Sequence, residues 1–128
     1  MVTQVSSGIK VSVKTKFEKN YSNPKLSHYF FSYKIEIVNT NDFAVQLLRR
    51  HWFIFDSNNS KSEVKGEGVV GQQPVIDPGN SYVYESGCNL RTGIGKMHGN
   101  YQFVRLFDEE IMVIQIPEFT MMLPELMN

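Results

Sequence analysis

Apolar and polar positions alternate from the start of the chain. Over residues 8–18, Ile9, Val11, Val13, Thr15 and Phe17 share one parity, and Lys10, Ser12, Lys14, Lys16 and Glu18 take the other. A period of two sustained over this length predicts a half-buried strand. Residues 20–28 are rich in turn formers and contain Pro24, which predicts a loop. A second alternation follows, with Tyr29, Phe31, Tyr33, Ile35 and Ile37 against Ser32, Lys34 and Glu36. Asn39-Thr40-Asn41-Asp42 ends it as a turn, because Asn and Asp tolerate the backbone angles a turn demands. Residues 45–56 predict a third strand in which neither parity is purely apolar. Leu48, Trp52 and Ile54 share a face with Arg50, while Leu47, Phe53 and Phe55 share one with Arg49 and His51. With Trp52 assigned to the core, one arginine is expected near that core or at its edge.

Further along, residues 57–60 form a turn, and 63–70 a strand weakened by Gly66 and Gly68. Pro74 and the Asp77-Pro78-Gly79-Asn80 turn precede a strand over 81–88. The glycine-rich stretch 87–99 is expected to be a loop. Residues 101–107 and 111–116 predict a hairpin around Asp108-Glu109-Glu110, with Pro117 closing the last strand. Seven or eight strands at this spacing, without a helix, predict an all-β fold. The arrangement expected is an immunoglobulin- or fibronectin type III-like β-sandwich in a single domain, 1–128, with a closed barrel as the alternative. Val13, Ile35, Ile37, Trp52 and Phe103 are its expected core residues. Two segments are left over. The strand at 8–18 lies near a chain end, where an edge strand invites pairing with another chain. The apolar tail beyond Phe119, with Met121, Met122, Leu123, Leu126 and Met127, has no obvious home in a closed sandwich, and methionines suit adaptable contact surfaces. Either segment is expected to serve a homodimer or a protein partner.

Composition narrows the function classes. At 128 residues, 41% hydrophobic and 20% charged, the chain has the make-up of one globular domain. Thirteen basic residues balance thirteen acidic ones. That balance lacks the electrostatic footprint of a nucleic-acid or anionic-membrane binder, so neither partner is expected. Cys88 stands alone, so no internal disulfide forms and the fold does not depend on an oxidising compartment. Charges interrupt the first residues too often for a signal peptide, and no apolar run approaches membrane-spanning length. The expected location is the cytoplasm.

The chemistry-bearing residues crowd between 47 and 74. Gly66, Gly68 and Gly71 spell G-x-G-x-x-G, the text of a dinucleotide fingerprint. That fingerprint seats a pyrophosphate at a helix N-terminus, and Gln72-Gln73-Pro74 leads into another turn instead of a helix. A weaker possibility survives, in which the glycines expose backbone N–H groups as an anion-binding concavity. Set beside it is a bulged strand that needs glycine for packing. Arg49, Arg50 and His51 offer cations, yet alternation sends the two arginines to opposite faces. The plainer reading has one of them in an ion pair or bonded to carbonyls at the sandwich edge. His28, His51, His98 and Cys88 are scattered, without the spacing of a metal site, so no metal and no cofactor are expected. Ser86-Gly87-Cys88 lacks the strand-turn-helix setting of an activated nucleophile, and Cys88 reads as a small buried apolar residue. No catalytic residue emerges.

The ordered set Arg50-His51-Trp52, Asp56, Glu63-Val64-x-Gly-x-Gly-Val-Val-Gly71, Gln73-Pro74, Pro78-Gly79, Tyr84, Ser86-Gly87-Cys88, Thr92, Gly95-x-Met97-x-Gly99-x-Tyr101 and Ile116-Pro117-x-Phe119 resembles the ApaG family. The resemblance spans nearly the whole chain. It implies a fibronectin type III-like sandwich in a small bacterial cytosolic protein linked to cobalt resistance and magnesium efflux. The family is named for a gene neighbourhood with a diadenosine tetraphosphate hydrolase. Similar eukaryotic domains, appended to F-box and polymerase-interacting proteins, look like protein-binding modules. Two functions of different class follow. One is a non-enzymatic module that binds an unidentified protein and affects metal resistance indirectly. The other is a sensor of a phosphorylated nucleotide or pyrophosphate at Gly66, Gly68, Gly71, Arg50 and His51.

Overall fold

The computed structural model describes residues 1–127. Among the described residues, nine strands form two antiparallel sheets packed face to face. In chain order they are β1 (Val2–Ser6), β2 (Ile9–Phe17), β3 (Tyr29–Asn39), β4 (Val45–Asp56), β5 (Lys61–Glu67), β6 (Val75–Ile76), β7 (Ser81–Leu90), β8 (Ile94–Arg105) and β9 (Ile111–Met122). One sheet runs β1-β2-β3-β7; the other runs β5-β4-β8-β9, with β6 paired to β4. Three single-turn 3₁₀ segments are the only helical structure among the described residues. The sandwich expected from the alternation is the observed fold, and Val13, Ile35, Ile37, Trp52 and Phe103 are all buried.

Two bulges explain why the later strands carry mixed parities. In β4, Leu47 pairs with Phe103 and Arg49 with Gln102, so Leu48 is one residue too many. A bulge flips the facing of everything beyond it. Val45 and Leu47 therefore point inward before it, and Arg50 and Trp52 after it. Arg50 thus reaches the interior side because an apolar residue earlier in the same strand is doubled up. In β9 the pairs Met97–Phe119 and Gly99–Ile116 leave one extra residue around Pro117 and Glu118. The strand does not end at Pro117, as expected from proline's missing donor. The bulge accommodates the proline, and Phe119 and Met121 then turn into the core at 4% and 0% exposure. Much of the apolar tail has a home after all. Leu123 continues it over Gly93, the turn glycine between β7 and β8.

Three further expectations change. The strand at residues 8–18 is not an edge: β2 lies between β3 and β1, because Val2–Ser6 folds back on it through a tight turn. Residues 87–99 are mostly strand rather than loop, and only Arg91-Thr92-Gly93 turns. Their glycines lie where strands crowd. A side chain at Gly99 would collide with the His51 carbonyl, and one at Gly87 with the Phe30 ring. Asn39 belongs to the end of β3, not to an exposed turn. It is fully buried, donates to the carbonyls of Phe43 (2.8 Å) and Ile76 (2.9 Å), and accepts from Asn41 N–H (3.0 Å). Those bonds satisfy a polar side chain that would otherwise be costly to bury.

The two flanks of the sandwich differ. On one, β1 and β9 lie close together, and Gln115 N–H donates to Ser6 Oγ at 3.2 Å. On the other, β7 and β5 are the terminal strands of their sheets and do not pair, leaving an open side.

Candidate functional site

The open side is plugged by the segment between β5 and β6. Val69 and Gln72 exchange backbone hydrogen bonds of 2.8 and 2.9 Å around Val70 and Gly71, both at positive φ (+47° and +75°). Two left-handed residues in succession make the tight two-residue turn whose twist matches a hairpin. Val69 is buried between the sheets, and Val70 stands outside at 61% exposure. A β-branched residue in the left-handed region is strained, since its Cβ crowds the following carbonyl.

Each glycine of the G-x-G-x-x-G string has its own steric duty. Gly66, opposite Arg50 in the β4–β5 ladder, leaves the space in which the Arg50 guanidinium lies. Gly68, at φ +62°, packs against the Gln72 carbonyl and donates its N–H to Leu48 O at 2.8 Å. Gly71 is the second turn residue. The N–H groups of Gly68 and Val69 are thereby already engaged in backbone hydrogen bonds.

Arg50 is half-buried and lies over β5. Its Nη1 donates to the carbonyls of Glu67 and Gly68, both at 3.0 Å. This is the carbonyl-bonding arrangement read above as the plainer alternative. Its other guanidinium nitrogens make no hydrogen bond among the described residues, and Arg50 joins no ion pair there. A cavity of about 200 Å³ opens beside it, lined by Tyr33, Arg50, Trp52, Val69, Val70, Tyr84, Glu85 and Ser86. One wall is apolar, from Trp52 and the two valines. The other is polar, from Arg50, Ser86 and the phenols. Burial raises the pKa of Tyr33, opposed by the Ser86 hydroxyl and the Arg50 charge. Tyr84 is raised by burial as well and shares a short hydrogen bond with buried Tyr101. These phenols are neutral donors at any physiological pH.

Of the residues singled out from sequence, Arg50, Gly66, Gly68 and Gly71 come together at this flank, and His51 does not. His51 faces the opposite side of β4, where Nε2 lies 3.2 Å from Glu63. It heads a row of rings on the outer face: His51 on Phe53 (4.3 Å), Phe53 on His98 (5.0 Å) and His98 on Phe55 (5.7 Å). Tyr33, Tyr84 and Ser86 are the pocket residues that sequence reading missed. Each lies on a strand of the other sheet, and inward parity was the only local signal they carried.

Cys88 is buried, and burial pushes its thiol up to about 11. No group of three or more His, Cys, Asp or Glu side chains suited to a metal ion occurs among the described residues.

Fold and flank together define a small β-sandwich whose open side holds an arginine under a strained hairpin. The ApaG domain matches residues 19–105. Brucella canis Protein ApaG is 43% identical over 125 residues, covering 98% of this chain and 95% of that protein. Protein ApaG of Shewanella sediminis is 42% identical over 127 residues, covering 99% and 100%. Among solved structures, a Bordetella pertussis protein described as ApaA superposes with a TM-score of 0.87 at 39% identity, covering 91% of this chain and 94% of that one. The chain belongs to the ApaG family.

Proposed function

We propose that this protein is a non-enzymatic binding module that recruits a protein partner along the free edge of β7. The carrying observation is that edge itself. β7 is ten residues long, ends its sheet and, among the described residues, pairs only with β3. It carries a single charge, Glu85, and no proline, whereas β5 across the gap alternates Lys61, Glu63, Lys65 and Glu67. Natural sheets guard exposed edges with charge, proline or bulges, so a long unguarded edge is a template for another strand. Val83 adds an exposed apolar side chain on the same strand.

In this reading the link to cobalt resistance and magnesium efflux is indirect and passes through the partner. No grouped metal ligands and no helix long and apolar enough to cross a membrane occur among the described residues. The phosphate-sensor alternative has less behind it. The Gly68 and Val69 N–H groups of the glycine string are already bonded to backbone carbonyls, and His51 lies on the other face from Arg50.

The test is capture from lysate by the intact chain and by a Ser81→Lys/Val83→Lys variant, whose two exposed changes place charge on the edge away from the cavity. Loss of a specific captured protein, with an unchanged circular dichroism spectrum, is the expected result. Capture indifferent to the variant overturns the assignment of β7.

A further inference from the structure

Resting on the binding-module reading, we infer that the partner segment ends in a free C-terminal carboxylate, which Arg50 receives in the cavity beside β7. Three observations converge on this occupant.

The first is charge. Arg50 is held half-buried by two carbonyls on Nη1, with its remaining donors uncommitted and no carboxylate paired to it among the described residues. A cation partly withdrawn from water without a counter-ion favours an anionic ligand, and a guanidinium edge matches a planar carboxylate. Ser86 and the neutral Tyr33 phenol stand on the facing wall as further donors.

The second is size and polarity. About 200 Å³ suits one residue, not a nucleotide, and the wall of Trp52, Val69 and Val70 suits an apolar side chain attached to the carboxylate. Glu85 at the same cavity opposes a phosphate dianion about twice as strongly as a monoanion, because Coulomb energy scales with the product of charges.

The third is continuity. The cavity lies against residues 84–86 of β7, so an extended peptide paired on that edge carries its last residue to Arg50. Backbone pairing with carboxylate capture at one end is a known mode of peptide recognition. Strained Val70 then has a use. Its left-handed backbone holds an apolar side chain at the rim, where asparagine or glycine would be easier to accommodate.

Trp52 lines the cavity and is the only tryptophan, so its fluorescence reports occupancy directly. The probes are a set of acetyl-Ala-Ala-Xaa tripeptides with varied last residue, each as free acid and as amide, with inorganic phosphate and single N-acetyl amino acids alongside. The expected result is saturable binding of free acids with apolar last residues, weakened at least tenfold by amidation. Single acetyl amino acids should bind more weakly for lack of edge pairing. Arg50→Gln should abolish the response. Because that variant also loses two carbonyl bonds, Glu85→Gln supplies the complementary reading. It removes an exposed rim charge and should tighten binding of the free acids several-fold. Equal binding of acid and amide, no response to any tripeptide, or preference for phosphate overturns the inference. If the peptides fail while the β7 edge variant still loses its partner, the carboxylate assignment alone falls. If the edge variant has no effect either, the binding reading falls with it.

Discussion

Gly66 and Arg50 occupy one space: a methyl group added at Gly66 would sit 2.6 Å from Arg50 Nη1 and 2.7 Å from Nη2. The glycine is needed for room, since its φ lies outside the left-handed region. The Gly66→Ala variant should therefore displace the guanidinium from the Glu67 and Gly68 carbonyls and cost about 1 kcal/mol, the order of the hydrogen bonds lost. In an Arg50→Ala background the clash is gone, and the same change should cost less than about 0.5 kcal/mol, a coupling that a double-mutant cycle by urea unfolding measures. Equal costs in both backgrounds would refute the shared-space account.

Val70 offers the opposite sign. At φ +47° and 61% exposure it gains little from burial and carries left-handed strain. Val70→Asn should stabilise the fold by about 1 kcal/mol, because asparagine tolerates that region and valine does not. Thermal unfolding checks it. A melting temperature that falls would mean the exposed valine makes a contact worth more than its strain.

The tail is separable into two parts. Deleting residues 119–128 removes Phe119 and Met121 from the core, two side chains whose truncation typically costs about 2–5 kcal/mol each. That sum is comparable to the whole stability of a domain this size, so the shortened chain should not fold. Deleting 123–128 leaves β9 intact and should keep a cooperative transition. Calorimetry on both truncations distinguishes them, and a folded 1–118 chain would contradict the placement of Phe119 and Met121.

Alkaline pH should destabilise the fold. Burial lifts Cys88 from an ordinary 9.0 to about 11, so the folded state holds its proton longer than the unfolded state does. Below pH 9 the thiol is protonated in both states and contributes no pH dependence. Between 9 and 11 only the unfolded chain ionises, and stability falls by at most about 2–3 kcal/mol. The raised phenols of Tyr33, Tyr84 and Tyr101 act in the same direction. Urea midpoints should change little between pH 7 and 9 and fall clearly by pH 10.5, with a smaller fall in Cys88→Ala.

The sequence alone determined the sandwich, because a period of two in β2 and β3 places Ile9, Val11, Val13, Phe31, Tyr33, Ile35 and Ile37 on inner faces whatever the strands' partners. It also limited Arg49 and Arg50 to opposite faces of one strand. With Trp52 in the core, parity sends Arg50 inward beside it, but parity alone leaves Val45 and Leu47 facing out. The bulge at Leu48 turns both halves of the strand inward, and a bulge depends on the register against β8, a strand some fifty residues later. The same holds at Pro117, where proline reads locally as a stop and only pairing with β8 carries the strand through. The free edge was misplaced for a related reason. Val2–Ser6 is too short and mixed to announce itself, and it becomes a strand by pairing with β2. The pocket was the least legible part. Arg50, Tyr33, Tyr84 and Ser86 come from strands of two sheets and meet only because β7 and β5 end their sheets on the same flank. Alternation gives each side chain its face, and the packing of one sheet on the other gives it its neighbours.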